Sequence, residues 1–447
     1  MGKELFGTDG IRGVAGEYPL DPVTIFAFGV ALADDVTSRE ASPEILIGAD
    51  TRESSHWIAE LVAGGLSTRG VRVRYAGVIT TPGVAYLTRT GPFQAGVMIS
   101  ASHNPYRDNG IKVFGHSGFK LPDAEEHAIE QEIFQVSARP SLSPSSTTLA
   151  ADQTLAREYL EYLLSTVSMR FDGMRLVVDC GHGAAFRLAP ELFCRLGAAV
   201  VTLCAEPNGR NINLNCGALH VESLRESVLA NHADFGVAFD GDADRAIFVA
   251  RSGKIVDGDG VLLASARALK AAGHLPGDIA VSTVMANLGL ERALEREGIR
   301  MVRTAVGDKY VLEEMVRLGA TLGGEQSGHV IYRDYATTGD GMLTALRVLE
   351  IARRAGVGLD ELTADLAIYP QKLVNVRVRE KKGLTEVPLI AREIRRVEEA
   401  FGPAGRVVVR FSGTEPLARV MVEGPDLERV EMFTARIAEA IRKEMGA

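Results

Sequence analysis

Phe235-Gly-Val-Ala-Phe239 runs into Asp240-Gly-Asp242-Ala-Asp244-Arg245, and Ala246-Ile-Phe-Val-Ala250 follows at once. Each flanking apolar run has the length of a buried strand rather than of a helix. Between them, three carboxylates stand at alternate positions. If the backbone stays extended there, all three point to one face. Converging anions repel one another without a cation, and hard oxygen donors select Mg²⁺ or Ca²⁺. The bland alternative is an acidic surface loop. An EF-hand is excluded, because its sixth position would be Arg245 rather than Gly and its twelfth Arg251 rather than Glu. The expected ion is Mg²⁺, one per chain.

On either side of this segment the chain repeats one theme. Arg175–Asp179 reads as a strand, Ala184–Leu196 as a helix and Ala199–Cys204 as a strand. Upstream, helical spacing over Pro22–Asp35 and Ser54–Arg69 alternates with apolar runs at Ile45–Ala49, Val71–Tyr75 and Ala95–Ile99. Downstream, strands are expected near Ile279–Ser282, Arg300–Thr304 and Thr321–Gly324. Continuous apolar runs between amphipathic helices mark parallel sheets covered on both faces, hence an α/β class. Ser137–Asp152, rich in Ser, Pro and Thr, reads as a linker. The tail differs: Leu373–Val378, Val387–Ala400, Arg406–Phe411, Ala418–Val422 and Leu427–Lys443 read as strand, helix, strand, strand, helix, an α+β unit. The expected domains are 1–150, 151–255, 256–370 and 371–447, a reasonable number for 447 residues.

Three more segments carry chemistry at strand ends. Ser100-Ala-Ser102-His103-Asn104-Pro105 follows AGVMI, where ligands usually bind in α/β sheets, although a polar turn would look the same. Gly323-Gly-Glu325-Gln326-Ser327-Gly-His329 offers a carboxylate, a hydroxyl and an imidazole at alternate positions, suited to sugar hydroxyls and to acid–base work, or else a tight turn. Arg410-Phe-Ser412-Gly413-Thr414-Glu-Pro416 brings a guanidinium, two hydroxyls and a glycine-freed N–H that can surround a phosphate, with Arg419 a further donor; the alternative is an ordinary hairpin turn. Gly181-His-Gly183-Ala-Ala-Phe186 misses the third glycine of a dinucleotide fingerprint. No P-loop or H-E-x-x-H motif occurs.

The formal charge of −9 argues against a general nucleic-acid or anionic-membrane binder. The longest apolar stretch, Val23–Ala33, is too short to span a bilayer. Cys180, Cys194, Cys204 and Cys216 form no CxxC pair. Such scattered thiols fit a reducing cytoplasm better than a disulfide framework or a zinc site.

In this order, the four loops resemble the α-D-phosphohexomutase superfamily over essentially the whole chain. That resemblance implies three α/β domains of shared fold with mixed sheets, and a TATA-binding-protein-like α+β domain, around a central cleft. It implies a phosphoserine at Ser102, which with Asp240, Asp242 and Asp244 holds the Mg²⁺. Arg245, His103 and Arg12 would lie near the transferring group, Lys112 would serve acid–base chemistry, and His329 is a further acid–base candidate. Glu325 and Ser327 would read the sugar, and Arg410, Ser412, Gly413, Thr414 and Arg419 would grip the non-reacting phosphate. A phosphatase using the same serine and aspartates would have no need of that fourth loop. Phe6-Gly-Thr8-Asp9-Gly-Ile-Arg12-Gly and Glu325-Gln326-Ser327 resemble the bacterial branch acting on glucosamine phosphate. The implied reaction moves phosphate between O6 and O1, with a hexosamine 1,6-bisphosphate as intermediate and primer. Relatives acting on mannose or glucose phosphates are the alternative. The oligomeric state stays open, a homodimer being one candidate.

Overall fold

The computed structural model describes residues 4–7, 9–139, 142–380, 383–412 and 416–446. The chain divides into two compact units: Met1–Thr283 with Thr304–Ala364, and Val284–Arg303 with Asp365–Ala447.

The first unit begins with β1 (Phe6–Gly7), β2 (Gly10–Val14), α1 (Pro22–Thr37), β3 (Glu44–Ala49), α2 (Ser55–Ser67), β4 (Arg72–Val78), α3 (Thr81–Thr90), β5 (Ala95–Ile99), β6 (Asp108–Gly115) and α4 (Asp123–Ser137). Its six strands take the order β1-β2-β6-β5-β3-β4. β3 runs parallel to β4 and β5, whereas β5 and β6 are antiparallel. Every residue of β5 is buried, as its unbroken apolar run requires. α1 starts where Asp21 accepts the N–H groups of Val23 and Thr24 and Pro22 presets the first turn.

Next come α5 (Gln153–Ser165), β7 (Arg175–Asp179), α6 (Leu188–Arg195), β8 (Ala199–Leu203), α7 (Glu222–Ala230), β9 (Phe235–Phe239), β10 (Ala246–Ala250) and β11 (Ile255–Val256). The sheet order is β11-β10-β9-β7-β8, with β7 parallel to β8 and β9 and with β9 antiparallel to β10. The third block holds α8 (Gly258–Ala271), β12 (Ile279–Thr283), α9 (Leu288–Arg296), β13 (Arg300–Thr304), α10 (Asp308–Leu318), β14 (Leu322–Gly324), β15 (Val330–Tyr332), α11 (Gly341–Ala355) and α12 (Leu359–Leu362). β14 pairs in parallel with β12 and antiparallel with β15.

The sheets are therefore mixed rather than parallel throughout, for one repeated reason. A parallel return needs a crossover of a dozen or more residues. The connections Ser100–Arg107, Asp240–Arg245 and Glu325–His329 are too short, so each chain returns as a hairpin. The expected linker is also more anchored than its composition suggests. Thr147 N–H donates to Glu60 O at 3.0 Å and Asp152 N–H to Tyr75 O at 2.7 Å. The helix expected over Ala184–Leu196 begins later, at Leu188.

The second unit contains β16 (Gln371–Arg377), α13 (Pro388–Phe401), β17 (Arg406–Phe411), β18 (Leu417–Glu423) and α14 (Leu427–Met445), with α9 and most of β13. β18 lies between β16 and β17, antiparallel to both. Val376, Val420, Val422, Ile390, Val397, Ile437 and Ile441 make its core. Buried Glu423 accepts Leu288 N–H at 2.8 Å, and Arg406 Nη1 donates to Val284 O at 2.8 Å, which ties in the 284–303 segment. Among the described residues no helix is long and apolar enough to cross a membrane.

Candidate active site

Each chemistry-bearing loop is the short connection of an antiparallel strand pair: β5–β6 carries Ser102, β9–β10 the aspartates, β14–β15 Glu325 and Ser327, and β17–β18 Ser412. Paired strands fix both ends of such a loop, and that precision suits a reacting group.

Ser102 adopts a left-handed backbone (φ 52°) and is almost wholly buried. Its N–H donates to Ser100 Oγ at 2.9 Å. Its carbonyl is gripped from two sides, by Arg52 Nη2 at 3.0 Å and Asn213 Nδ2 at 3.0 Å. The same two side chains hold Asn104 O at 2.7 and 3.3 Å. Arg52 is buried and ion-paired with Asp50, so its guanidinium is itself fixed. Ser102 Oγ donates to Asp240 Oδ2 at 2.6 Å and lies 3.3 Å from His103 Nδ1.

The aspartates do converge, but not on an extended backbone. Ala243 turns left-handed (φ 56°), and its N–H closes a turn onto Asp240 O at 3.0 Å. One oxygen each of Asp240, Asp242 and Asp244 lies within 4.8 Å of the others, all three buried. Burial and the charges of Asp244 and Asp242 push Asp240 well above the usual carboxylate range. Burial also acts to raise Asp242, yet Lys112 and the Thr81 hydroxyl outweigh it and hold Asp242 below its ordinary value. Asp242 Oδ1 and Asp244 Oδ1 are buried without a hydrogen-bond partner. Orphaned, like-charged oxygens are the donor set a hard divalent cation satisfies, so the residues fit such an ion.

Cations surround this cluster. Lys112, on β6, places Nζ 2.9 Å from Asp242 Oδ2, 3.1 Å from Asp9 Oδ2 and 3.5 Å from Asp244 Oδ2. Burial works against its charge, but these carboxylates raise its pKa. Arg245 Nε is 3.8 Å from Asp244 Oδ1, and Arg12 pairs with Asp9. Burial, with Arg245 and Arg12, lowers His103 to about 3, so the imidazole is neutral.

A further chain of charges was not apparent in the sequence. Lys120 Nζ reaches Asp9 Oδ1 and Asp308 Oδ2, each at 2.5 Å, and His329 Nε2 lies 3.6 Å from Asp308 Oδ2. His329 is buried and also accepts Gly339 N–H at 3.2 Å. Glu325 Oε1 accepts Gly307 N–H at 3.2 Å, while Ser327 is exposed. Nothing in the sequence marks Arg52, Asn213, Thr81, Lys120 or Asp308 as site residues. Only Asp9 had a signal, its place in the opening motif.

In the second unit Arg410 and Arg419 face each other across β17 and β18. Burial and the neighbouring Arg419 charge lower Arg410. Ser412 is buried, and its N–H donates to Leu417 O at 2.8 Å. Gly413 and Thr414, like Thr8, lie outside the described residues.

Two glycines let the loops touch. A Cβ on Gly241 would lie 2.5 Å from Ser102 O, and one on Gly183 would lie 2.4 Å from Gly241 O. The Ser102 loop thus abuts the acidic loop backbone to backbone.

Phosphoglucomutase/phosphomannomutase domain models match the chain in order: α/β/α domain I over residues 3–140, domain II over 157–253, domain III over 257–369 and the C-terminal domain over 373–440. A phosphoglucosamine mutase from Solibacter usitatus (strain Ellin6076) is 72% identical over 446 residues, covering 100% of both chains. The chain belongs to the phosphoglucosamine mutase family. Such enzymes are isomerases acting by phosphoryl transfer within a molecule. For the fold, a Burkholderia thailandensis phosphoglucomutase/phosphomannomutase family protein superposes with TM-score 0.80 at 23% identity, covering 98% of this chain and 97% of the other. An Aspergillus fumigatus N-acetylphosphoglucosamine mutase, solved with GlcNAc-6P and magnesium, superposes with TM-score 0.65 at 18% identity, covering 99% and 96%. Membership in the phosphoglucosamine mutase family agrees with the four-domain α/β organisation and with a carboxylate metal site.

Proposed function

We propose that this chain interconverts glucosamine 6-phosphate and glucosamine 1-phosphate through a phosphoserine at Ser102 and a hexosamine 1,6-bisphosphate. The observation that carries the mechanism is Ser102 Oγ, buried 2.6 Å from Asp240 in a cluster of three carboxylates. Residues 1–150, 151–255, 256–370 and 371–447 are proposed to supply the serine, metal, sugar and phosphate loops in turn. The reaction serves amino-sugar precursor synthesis in the cytoplasm.

In the forward half, the bond from phosphorus to Ser102 Oγ breaks as one forms to the sugar hydroxyl at C1, which loses its proton. In the second half the C6 phosphoryl group passes back to Ser102 Oγ, and O6 regains a proton. Asp240, Asp242, Asp244 and a phosphoserine oxygen would hold Mg²⁺, whose charge would offset that of the transferring group; Lys112 would then keep Asp9 as its carboxylate partner. Lys112, left with Asp9 as its carboxylate partner, is the proposed proton carrier: as the free amine it takes the C1 proton in the first half, and as the ammonium it returns that proton to O6 in the second. Arg245 and Arg12 neutralise phosphoryl oxygens, and His103, neutral here, can only accept or donate a hydrogen bond. Arg52 and Asn213 keep the serine backbone fixed, so little reorganisation is needed. Glu325 and Ser327 are assigned to the sugar, His329 to proton transfer through Asp308, and Arg410, Ser412, Gly413, Thr414 and Arg419 to the distal phosphate.

The test is a panel of glucosamine, glucose and mannose 6-phosphates, with 1-phosphate formation measured for wild type and Ser102→Ala. Glucosamine should lead in kcat/KM, the variant should be inactive, and intact mass should show one phosphate on wild type alone. A tenfold preference for glucose or mannose, about 1.4 kcal/mol, would overturn the substrate. Near-wild-type turnover by the variant would overturn the covalent mechanism.

A further inference from the structure

The second sheet gathers another set of donors that the mutase chemistry does not use. β7 and β8 are parallel neighbours, so the segments after them leave the same edge. His182 follows β7, Cys204 follows β8, and Cys216 ends the loop that begins there. Their separation in sequence had suggested scattered thiols. In the fold, one ligand atom of each lies within 4.8 Å of the others.

We propose that His182, Cys204 and Cys216 form a binding site for a thiophilic cation of the Zn²⁺ class, distinct from the carboxylate cluster. Two thiols and an imidazole favour Zn²⁺ over Mg²⁺. Ligands of one tetrahedral zinc stand roughly 3.5–3.8 Å apart, given its bond lengths. Closing the site therefore takes a shift of at most about 1 Å.

The backbone holds the donors in place. His182 N–H donates to Cys204 O at 2.6 Å. Asp179, fully buried, accepts Gly181 N–H at 2.8 Å and Gly217 N–H at 3.0 Å, tying the His182 turn to the Cys216 segment. Its negative charge disfavours free thiolates but favours a cation that pairs with them. Nδ1 of His182 accepts Glu206 N–H at 3.2 Å, so that nitrogen presents a lone pair, as a ligand atom must. Binding replaces that contact or shifts the ring proton to Nδ1, and it releases the two thiol protons to solvent.

The location gives occupancy a consequence. The loop between Cys204 and Cys216 carries Asn213, whose amide holds Ser102 O, and Gly209, whose carbonyl accepts Glu53 N–H at 2.9 Å. A metal at its neck pins both ends of a segment that supports the nucleophile loop.

The experiment uses the full reduced chain in excess Mg²⁺, which saturates the carboxylate cluster. Zn²⁺ should bind one per chain and shield Cys204 and Cys216 from alkylation, while exposed Cys194 still reacts. Co²⁺ should give a thiolate-to-cobalt charge-transfer band, which oxygen ligands cannot produce. Cys204→Ser, Cys216→Ser and His182→Gln should each weaken Zn²⁺ binding more than about tenfold, the least that loss of an outer-shell partner costs. If Cys216→Ser fails to fold, half-exposed Cys204 decides the matter alone. A Co²⁺ spectrum without the band, an unprotected Cys204, or full affinity in Cys204→Ser overturns the site.

Discussion

Two donor clusters leave one edge of the second sheet, since β7, β8 and β9 run parallel. After β9 come Asp240, Asp242 and Asp244; after β7 and β8 come His182 and Cys204, joined by Cys216. The first is wholly buried, the second partly. The first surrounds itself with Lys112, Arg245 and the Ser102 hydroxyl, because buried carboxylates must be compensated. The second offers two thiols and an imidazole and no carboxylate. The hydrogen bond with Cys204, then burial and Asp179, raise the Cys216 thiol, and the same hydrogen bond lowers Cys204. Buried charge makes a cation a requirement, whereas buried thiols leave it an option.

The strongest break would come from the carboxylates. Asp242→Asn keeps the side-chain volume but removes a ligand charge, and activity should fall about a thousandfold, as several kcal/mol implies. Exhaustive chelation should do the same to wild type. A rate within threefold of wild type in either steady-state assay would erase the distinction between the clusters.

Asp340 shows what burial alone does to a carboxylate in neither cluster. It caps α11 through Leu343 N–H at 3.0 Å and accepts the Tyr159 hydroxyl at 2.7 Å, and burial raises it to about 6. A raised folded pKa means the folded state holds the proton more tightly. Its stabilising contribution is complete below about 4 and is lost as pH climbs through 6. Asp340→Asn should remove that loss, gaining roughly 1–3 kcal/mol relative to wild type at pH 7 over pH 4. Urea unfolding at the two pH values measures it, and parallel pH dependence in the two proteins would refute it.

Asn213 links the clusters, and a smaller effect is expected there. Asn213→Ala leaves Arg52 holding both carbonyls, so kcat should drop about two- to tenfold, with KM little changed, for one lost amide donor shared between Ser102 O and Asn104 O, at about 0.5–1.5 kcal/mol. A change in KM alone would mean that Asn213 does not position Ser102. Least of all, Cys204→Ser in zinc-free buffer should alter folding free energy by less than about 1 kcal/mol, since a half-buried neutral thiol is exchanged for a hydroxyl. A larger loss in urea unfolding would show that the thiols are structural.

The sequence carried the strands well where apolar runs were continuous, as in β5, β7, β9 and β10, because burial on both faces leaves that mark. It carried the aspartates but not their geometry. Alternation suggested an extended segment, whereas Ala243 turns left-handed, which nothing in an alanine announces. Lys120 and Asp308 meet Asp9 only in three dimensions, and in the sequence each of the two reads as an ordinary surface charge. The proximity of His182, Cys204 and Cys216 is hidden for the same reason. Ligands brought together by parallel crossovers have no fixed spacing, and a search for CxxC cannot find them.

Gly241 sits between Ser102 O and Gly183, with no side chain separating the three loops. Distances there are set by backbone van der Waals radii, so rotamer changes nearby cannot loosen them. The cost is borne in sequence space. A single methyl at Gly241 or Gly183 pushes two loops apart, and trimming Ile212 or Asn213 beside Gly241 would not relieve it, because the nearest atoms, Ser102 O and Gly241 O, are backbone. Drift at these two positions should therefore be arrested as firmly as at the aspartates, in residues that hold no proton, no ion and no phosphate.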